Sequence, residues 1–172
     1  MTGGAVATAC APPGLPGTVV HVTLLSMGSP RMGGTCPAAS AMLGYRAHFK
    51  PAPALQAPYA ILAAAVIAAE TDAQAEALAA SADLHVVRRA NGEYLPLASP
   101  QEAAAYPYAP IDRERIARHR QRLVVGGIER VMGRLLPLIK ATRADELMIT
   151  TMVYDHAARR RSYELLAAAF GL

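Results

Sequence analysis

The residues best suited to chemistry follow an apolar segment near the carboxyl end of the chain. Thr150 and Thr151 close that segment, and Asp155 and His156 come directly after it. If the segment is a parallel strand, its carboxyl end is where barrel enzymes carry their catalytic groups, so Asp155 and His156 are candidate catalytic residues. The alternatives are structural: Asp155 as a helix N-cap, His156 as a first-turn surface residue, and the threonines as β-branched strand residues.

A second candidate site is the pair Gly28 and Ser29 in the amino-terminal part of the chain. A glycine amide and a serine hydroxyl can both donate to a phosphate. Such an anion site is strongest at a helix N-terminus. Pro30, Gly33 and Gly34 do not favour a helix after this pair. The pair is therefore a candidate phosphate loop that lacks its helix.

Histidine and cysteine spacing gives no metal site. Cys10 and Cys36 have neither metal-type nor disulfide-framework spacing, and no histidine has a second ligand at a suitable interval. No nucleophile stands beside a base either. This combination suits an enzyme whose cofactor carries the difficult chemistry while the protein positions it.

Two strand–helix units position these residues. The run Tyr59–Ala69 is apolar on both faces, as in a buried parallel strand, and Thr71 can cap a helix over 72–81. The run Glu146–Val153 is a second strand, followed by a helix over 156–170 that Asp155 and Gly171 can cap. Repeated βα units predict an α/β fold with parallel strands, and we expect these two strands to lie side by side.

The region between the two units is less regular. Residues 84–110 are rich in proline and predict a long connection with one short helix over 101–105. A charged helix is predicted over 113–123. Apolar residues from Ile128 to Ile139 have the spacing of an amphipathic helix, which Pro137 should kink or shorten.

Composition sets limits on the class of protein. The chain has 172 residues, 53% hydrophobic, with a net charge of +4, which is enough apolar material for one domain with a core. Its arginines cluster at 113–122 and 159–161; we interpret these as solvated helix faces and predict no nucleic-acid partner. The longest apolar run is too short to span a bilayer and no secretory signal is evident, so we predict a cytoplasmic protein without membrane association.

Several segments together resemble one family. They are Tyr45-Arg-Ala-His-Phe-Lys-Pro51, Pro58-Tyr59 leading to Ala-Glu-Thr-Asp72, Leu123-Val-Val-Gly126, Ala144 to Arg159, and Ser162 to Gly171. In this order they resemble the luciferase-like, flavin-dependent monooxygenases. The resemblance covers residues 45–172, whereas residues 1–44 form a Gly/Pro-rich leader with one strand at 18–25 and otherwise irregular structure.

The resemblance implies a fold and an activity. Residues 45–172 correspond to the C-terminal portion of a (β/α)8 TIM-type barrel, with the two strands as its seventh and eighth. The family uses reduced FMN and oxygen to oxidise a small organic substrate. Asp155 and His156 then become catalytic candidates, and Gly28, Ser29, Thr150 and Thr151 become candidates for cofactor binding.

The resemblance also implies that the barrel is incomplete. A whole barrel of this type needs about 250 residues, and nothing here matches its first four strands. We therefore expect an inactive or incomplete fragment of a flavin-dependent oxidoreductase. The alternative is a non-catalytic α/β module that associates with itself or with a partner chain through exposed strand edges.

Overall fold

The computed structural model describes residues 20–23, 37–53 and 55–172, and these form a mixed α/β fold. Gly28 and Ser29 lie outside the described residues. In chain order the elements are β1 (Val20–Thr23), α1 (Pro37–His48), β2 (Ala60–Ala69), α2 (Asp72–Ala90), α3 (Pro100–Ala105), α4 (Pro110–Arg120), β3 (Leu123–Gly127), α5 (Ile128–Thr142), β4 (Glu146–Thr150) and α6 (His156–Phe170).

Strands β1, β2 and β3 are parallel and follow one another in that order. In β1, Val20 is opposite Ala60 of β2, and further along β2, Ala65 is opposite Leu123 of β3. Strand β4 also pairs with β2. The expectation of an α/β fold with parallel strands is confirmed, whereas closure into part of a TIM-type barrel stays a prediction.

The described chain divides into two compact units. The first contains the described residues up to Ala64 together with Leu135–Ile149, and the second contains Ala65–Arg134 and Thr150–Leu172. In the first unit, buried residues of α1, β2 and α5 form the core, namely Met42, Ala60, Leu62 and Leu138. In the same unit the Asp145 carboxylate accepts from the Ala60 amide at 2.7 Å and pairs with Arg46.

The second unit has a core rich in alanine. The small side chains let α2 lie close to β2 and β3. Because the elements approach closely, they make many van der Waals contacts even though the core has few large side chains. The buried members of this core are Ile67, Ala69, Ala75, Ala79, Ala82, Leu123, Val125 and Val153.

The predicted side-by-side arrangement of the two confident strands is confirmed. At their starts, in the first unit, the Asp145 amide donates to the Ala60 carbonyl at 3.0 Å. At their ends, in the second unit, Val153 packs with Ile67 and Ala69. Because starts meet starts and ends meet ends, β4 runs parallel to β2.

Two predictions about the helices were wrong. Helix α2 continues to Ala90 because Leu84 and Val87 are fully buried, so the long connection begins seven residues later than expected. Helix α1 occupies part of the region expected to be irregular, with Ala38, Ala39 and Met42 buried. The division of the chain at residues 44 and 45 stays a prediction.

Helix α5 and strand β4 also differ from expectation. Helix α5 continues through Pro137 to Thr142, because Leu135 and Leu138 on either side of the proline are buried. Strand β4 ends at Thr150, since the Thr151 amide donates to the Tyr163 hydroxyl at 3.2 Å. Alternate residues of β4 are exposed, whereas both faces were expected to be apolar. Strand β3 was not predicted as a strand.

Candidate functional site at the strand ends

The second unit brings the end of β2 and the start of α6 together. Strand β2 ends at Ala69, and Thr71 then caps α2 by accepting from the Gln74 amide at 3.2 Å. Helix α6 begins at His156, where the Asp155 carboxylate accepts from the Ala158 amide at 2.7 Å. Each cap provides an acceptor that the first turn of its helix otherwise lacks, which fixes where α2 and α6 begin.

Two hydroxyls of α6 hold this helix against the strands. The Ser162 Oγ accepts from the Ala68 amide at 2.9 Å, and both Ser162 and Ala68 are buried. The next residue, Tyr163, accepts from the Thr151 amide through its phenolic oxygen. Since a buried amide without a partner is costly, these two bonds specify the position of α6.

A network of exposed ion pairs lies where α6 meets the end of β2. The Arg161 Nε donates to Glu70 Oε1 at 2.7 Å, and Arg161 Nη1 donates to Glu164 Oε2 at 3.3 Å. Glu70 directly follows β2, so the pair joins the strand end to α6. The hydrogen bond with Glu70, followed by that with Glu164, holds the pKa of Arg161 above its ordinary value.

A cavity of about 350 Å³ opens beside this ion pair, and we call it the strand-end cavity. Its walls come from the end of β2, the first half of α2, the start of α3 and the first two turns of α6. Alanine methyl groups and Leu78 make up most of its surface, so it is almost entirely apolar. The lining residues are Ala68, Ala69, Glu70, Gln74, Ala77, Leu78, Pro100, Ala158 and Arg161.

The predicted catalytic pair does not line this cavity. Asp155 is exposed and is the N-cap of α6, which is the structural alternative given for this residue in the sequence analysis. The ring of His156 is also exposed, with Nδ1 2.8 Å from Arg159 Nη2. Neither observation tests a catalytic role, so the assignment of these two residues stays a prediction.

The predicted cofactor-binding residues fall into three situations. Thr150 is the last residue of β4 and is exposed. Thr151 is buried, and its Oγ1 has no hydrogen-bond partner among the described residues. Gly28 and Ser29 cannot be placed because they lie outside those residues. Of these four residues the structure therefore places only Thr150 and Thr151, the first exposed and the second buried.

Gln74 and Arg161 were not among the candidate site residues named from the sequence. The signal for Arg161 was present in the sequence. It lies six residues after the N-cap Asp155, and a position in the second turn of a capped helix can still reach the strand end at which the helix begins. Arginine clustering at 159–161 had instead been interpreted as a solvated face.

The described residues at the strand-end cavity suit the ring system of a flavin but not its phosphate. The apolar wall of the strand-end cavity suits the face of an aromatic ring system. A phosphate needs free cations or helix amides. Arg161 already pairs with Glu70 and Glu164, and the helices that begin here are capped by their own residues Thr71 and Asp155. These residues alone do not form a phosphate site.

Two further findings concern other classes of protein. Among residues 37–53 and 55–172, no group of three or more His, Cys, Asp or Glu side chains could hold a metal ion. No helix within the described part of the chain has the length and apolar character needed to cross a bilayer. The predictions of a cytoplasmic location and of no nucleic-acid partner stay predictions.

Known proteins similar to this chain point to one family. The chain is 37% identical over 126 residues to the uncharacterised protein YceB of Bacillus subtilis. It is 31% identical over 121 residues, or 70% of its length, to a luciferase-like monooxygenase of Escherichia coli K12. No family model matches the chain. The named relative supports a luciferase-like, oxidoreductase family.

A solved structure supports the same relationship. The crystal structure of apo-MsnO8 matches with a TM-score of 0.70 at 37% identity, covering 78% of this chain and 41% of that one. The chain spans 38% of the length of YceB and 36% of the Escherichia coli monooxygenase. The similarity therefore concerns well under half of each relative.

Proposed function

We propose that this chain is the C-terminal part of a luciferase-like, flavin-dependent monooxygenase. The observation that carries the proposal is the 31% identity over 70% of the chain to a luciferase-like monooxygenase of Escherichia coli, and the match of 78% of the chain to apo-MsnO8 at a TM-score of 0.70 accompanies it. The parallel strands β2 and β4, each followed by a capped helix, support placing them as consecutive strands of a (β/α)8 barrel.

The parent activity in this proposal is oxidation of a small organic substrate with reduced FMN and oxygen. FMN would supply the reaction with oxygen when bound, and the protein would bind and orient it and exclude water. Thr150 ends β4, and Thr151, Asp155 and His156 follow it, at the edge where such barrels act. Because this edge lacks a phosphate site of its own among the described residues, the activity would need the rest of the fold.

The test is reconstitution with a relative. The chain is co-expressed with a polypeptide containing the part of YceB that this chain does not match. The purified complex is supplied with enzymatically reduced FMN, ¹⁸O₂ and decanal, and incorporation of ¹⁸O into the product is measured by mass spectrometry. Turnover by the complex, with none from either part alone, supports the proposal. A complex that forms and binds FMN but oxidises neither decanal nor a panel of small aldehydes contradicts it.

A second function is favoured by the exposure of β4. Its residues alternate between exposed and half-buried, and Met148 is 42% exposed. Among the described strands β4 pairs with β2 alone. An apolar strand with an available edge can pair with another chain. The corresponding function is a non-catalytic α/β module that associates with itself.

A further inference from the structure

We propose that the strand-end cavity binds an uncharged, largely apolar small molecule that carries one hydrogen-bonding group. The proposal goes beyond the flavin chemistry proposed above, since every wall of the cavity comes from described residues of this chain. It therefore does not depend on the part of the relatives that this chain does not match. The two proposals can succeed or fail separately.

The first argument is that the walls of the cavity are fixed. Ala68 and Ala69 at its base are buried residues of β2. Helix α6 is fastened to this strand by the bond from the Ala68 amide to Ser162 Oγ. On the opposite wall, Leu78 of α2 packs against the buried core of the second unit. A preformed cavity does not need to be ordered when a ligand enters, which favours binding.

The second argument is size and surface. A volume of about 350 Å³ lies within the range of small-molecule sites. At the share of roughly 30 Å³ that one water molecule occupies in the liquid, the cavity holds about a dozen non-hydrogen atoms. Its alanine and leucine lining offers few hydrogen bonds to water, so an apolar ligand gains by displacing that water.

The third argument is charge balance at the rim. The two charged residues that line the cavity, Glu70 and Arg161, pair with each other, and Glu164 pairs with both Arg161 and Arg160 at 3.3 Å. An ionised ligand would have to break one of these pairs or leave its own charge without a partner. Gln74 and Arg161 border the cavity mainly through their apolar atoms, so polar contacts are confined to the rim, where a free N–H of either side chain is the donor available to one uncharged hydroxyl, carbonyl or amide group.

The test uses three probes of similar shape and different charge. 2-Naphthol is an uncharged aromatic alcohol of about the required size, and 2-naphthoate and 2-naphthylmethylammonium are its anionic and cationic counterparts. Binding at pH 7 is followed by fluorescence and by calorimetry. We expect 2-naphthol to bind saturably with a Kd on the order of 0.1–1 mM, as the binding free energy per atom of small ligands allows. Both charged probes should bind at least about tenfold more weakly.

Two variants locate the binding in the cavity. Ala77 is exposed on the cavity wall, so Ala77→Phe fills the space without disturbing the core and should weaken 2-naphthol binding by about tenfold or more. Ala117→Phe adds the same group at an exposed position on α4, away from the cavity, and should leave binding unchanged. Circular dichroism checks that both variants fold.

The charge argument has its own variant. Glu70→Gln leaves Arg161 with less compensation, so 2-naphthoate should gain affinity several-fold while 2-naphthol changes little. The proposal is overturned by any of three results: no saturable binding of 2-naphthol up to its solubility, equal affinity of the unaltered chain for 2-naphthol and 2-naphthoate, or an unchanged affinity in a folded Ala77→Phe variant.

Discussion

The Ser162 hydroxyl on α6 accepts a hydrogen bond from the Ala68 amide of β2 at 2.9 Å, with both residues buried. A strand amide in this position ordinarily bonds to a neighbouring strand, and here a helix side chain takes that role. The relationship sets the distance between α6 and β2, and with it the shape of the strand-end cavity. Removing this hydrogen bond by substitution therefore tests directly how α6 is held against β2.

Replacing this hydroxyl should destabilise the fold. Ser162→Ala leaves the buried Ala68 amide without its acceptor, which costs about 1–3 kcal/mol in the free energy of unfolding. Urea unfolding of the variant at one fixed protein concentration measures the loss, since association would make stability depend on concentration.

Ser81→Ala is the matched control for that substitution. Ser81 is fully buried on α2, and its Oγ has no hydrogen-bond partner within the described part of the chain. Removing a buried hydroxyl without a partner relieves its desolvation cost, so Ser81→Ala should be neutral or slightly stabilising. Equal losses in the two variants would show that the Ser162 bond contributes nothing specific.

A pair of glycines near α5 should respond to alanine in opposite directions. At Gly126, with φ of +155°, a Cβ would lie 2.8 Å from Arg130 Cδ and 2.8 Å from Asp72 Oδ1. That Asp72 oxygen already accepts from the Gly127 amide at 2.6 Å and cannot move without losing this bond. Gly126→Ala should therefore lower the free energy of unfolding by about 1–3 kcal/mol.

The second member of the pair is Gly133 in the middle of α5. A Cβ there meets no atom within 4 Å. Gly133→Ala should raise the free energy of unfolding by about 0.5–1 kcal/mol, because alanine restricts the unfolded chain and favours the helix. Thermal unfolding of both variants gives the comparison, and stabilisation by Gly126→Ala would contradict the contacts described for that glycine.

Asp145 should make stability depend on pH. Burial alone raises the pKa of Asp145, but the bonds from the Ala60 amide and Arg46 outweigh it and hold the pKa below its ordinary value of 3.8. The folded state thus favours the carboxylate. Its stabilisation is fully present above pH 3.8 and is lost as the pH falls through the lower folded-state pKa.

Asp145→Asn measures this contribution. Because the side chain is 34% exposed, we expect a loss of only about 1 kcal/mol at pH 7. The difference from the unaltered chain should shrink as the pH falls below 3.8 and through the lower folded-state pKa of Asp145. Glu114→Gln on α4, where no ion-pair partner is present among residues 37–53 and 55–172, should change stability little at either pH. A difference for Asp145→Asn that grows as the pH falls would refute the assignment.

The isolated chain should self-associate through β4. Met148 is 42% exposed on this strand, and Met148→Lys should shift the chain towards monomer, since a charge on an edge strand opposes pairing. Leu136→Lys, at a 51% exposed position on α5, is the control and should leave association unchanged. The association state of the chain and of both variants is measured by light scattering after size exclusion. A stable monomer that unfolds cooperatively in urea contradicts the prediction.

Much of the fold follows from local signals in the sequence. The apolar run at β2, the caps Thr71, Asp155 and Gly171, and the short helix α3 all appear where the residues predict them. Each depends on chemistry within a few residues. Helix α2 was predicted too short because its continuation depends on burial of Leu84 against Ala98 and Ala103, which lie beyond the reach of signals within the helix itself.

The candidate site was less predictable because its walls come from four elements. Asp155 and His156 could be identified from their position after a strand, but sequence position does not tell which way a side chain in a first helical turn points. The cavity instead involves Ala158 and Arg161, one to two turns further on. The pairing of Glu70 with Arg161 spans 91 residues, and no local pattern encodes it.

The most direct test of the central claim is the affinity of FMN for the chain, alone and in complex with the unmatched part of YceB. The residues of the strand-end cavity offer an apolar wall, but Arg161 already pairs with Glu70, and Thr71 and Asp155 cap α2 and α6, so these residues form no phosphate site. We therefore predict that quenching of FMN fluorescence shows no saturable binding by the chain alone at low micromolar concentration, and saturable binding by the complex. Saturable low-micromolar binding by the chain alone, or none by a folded complex, would contradict the account.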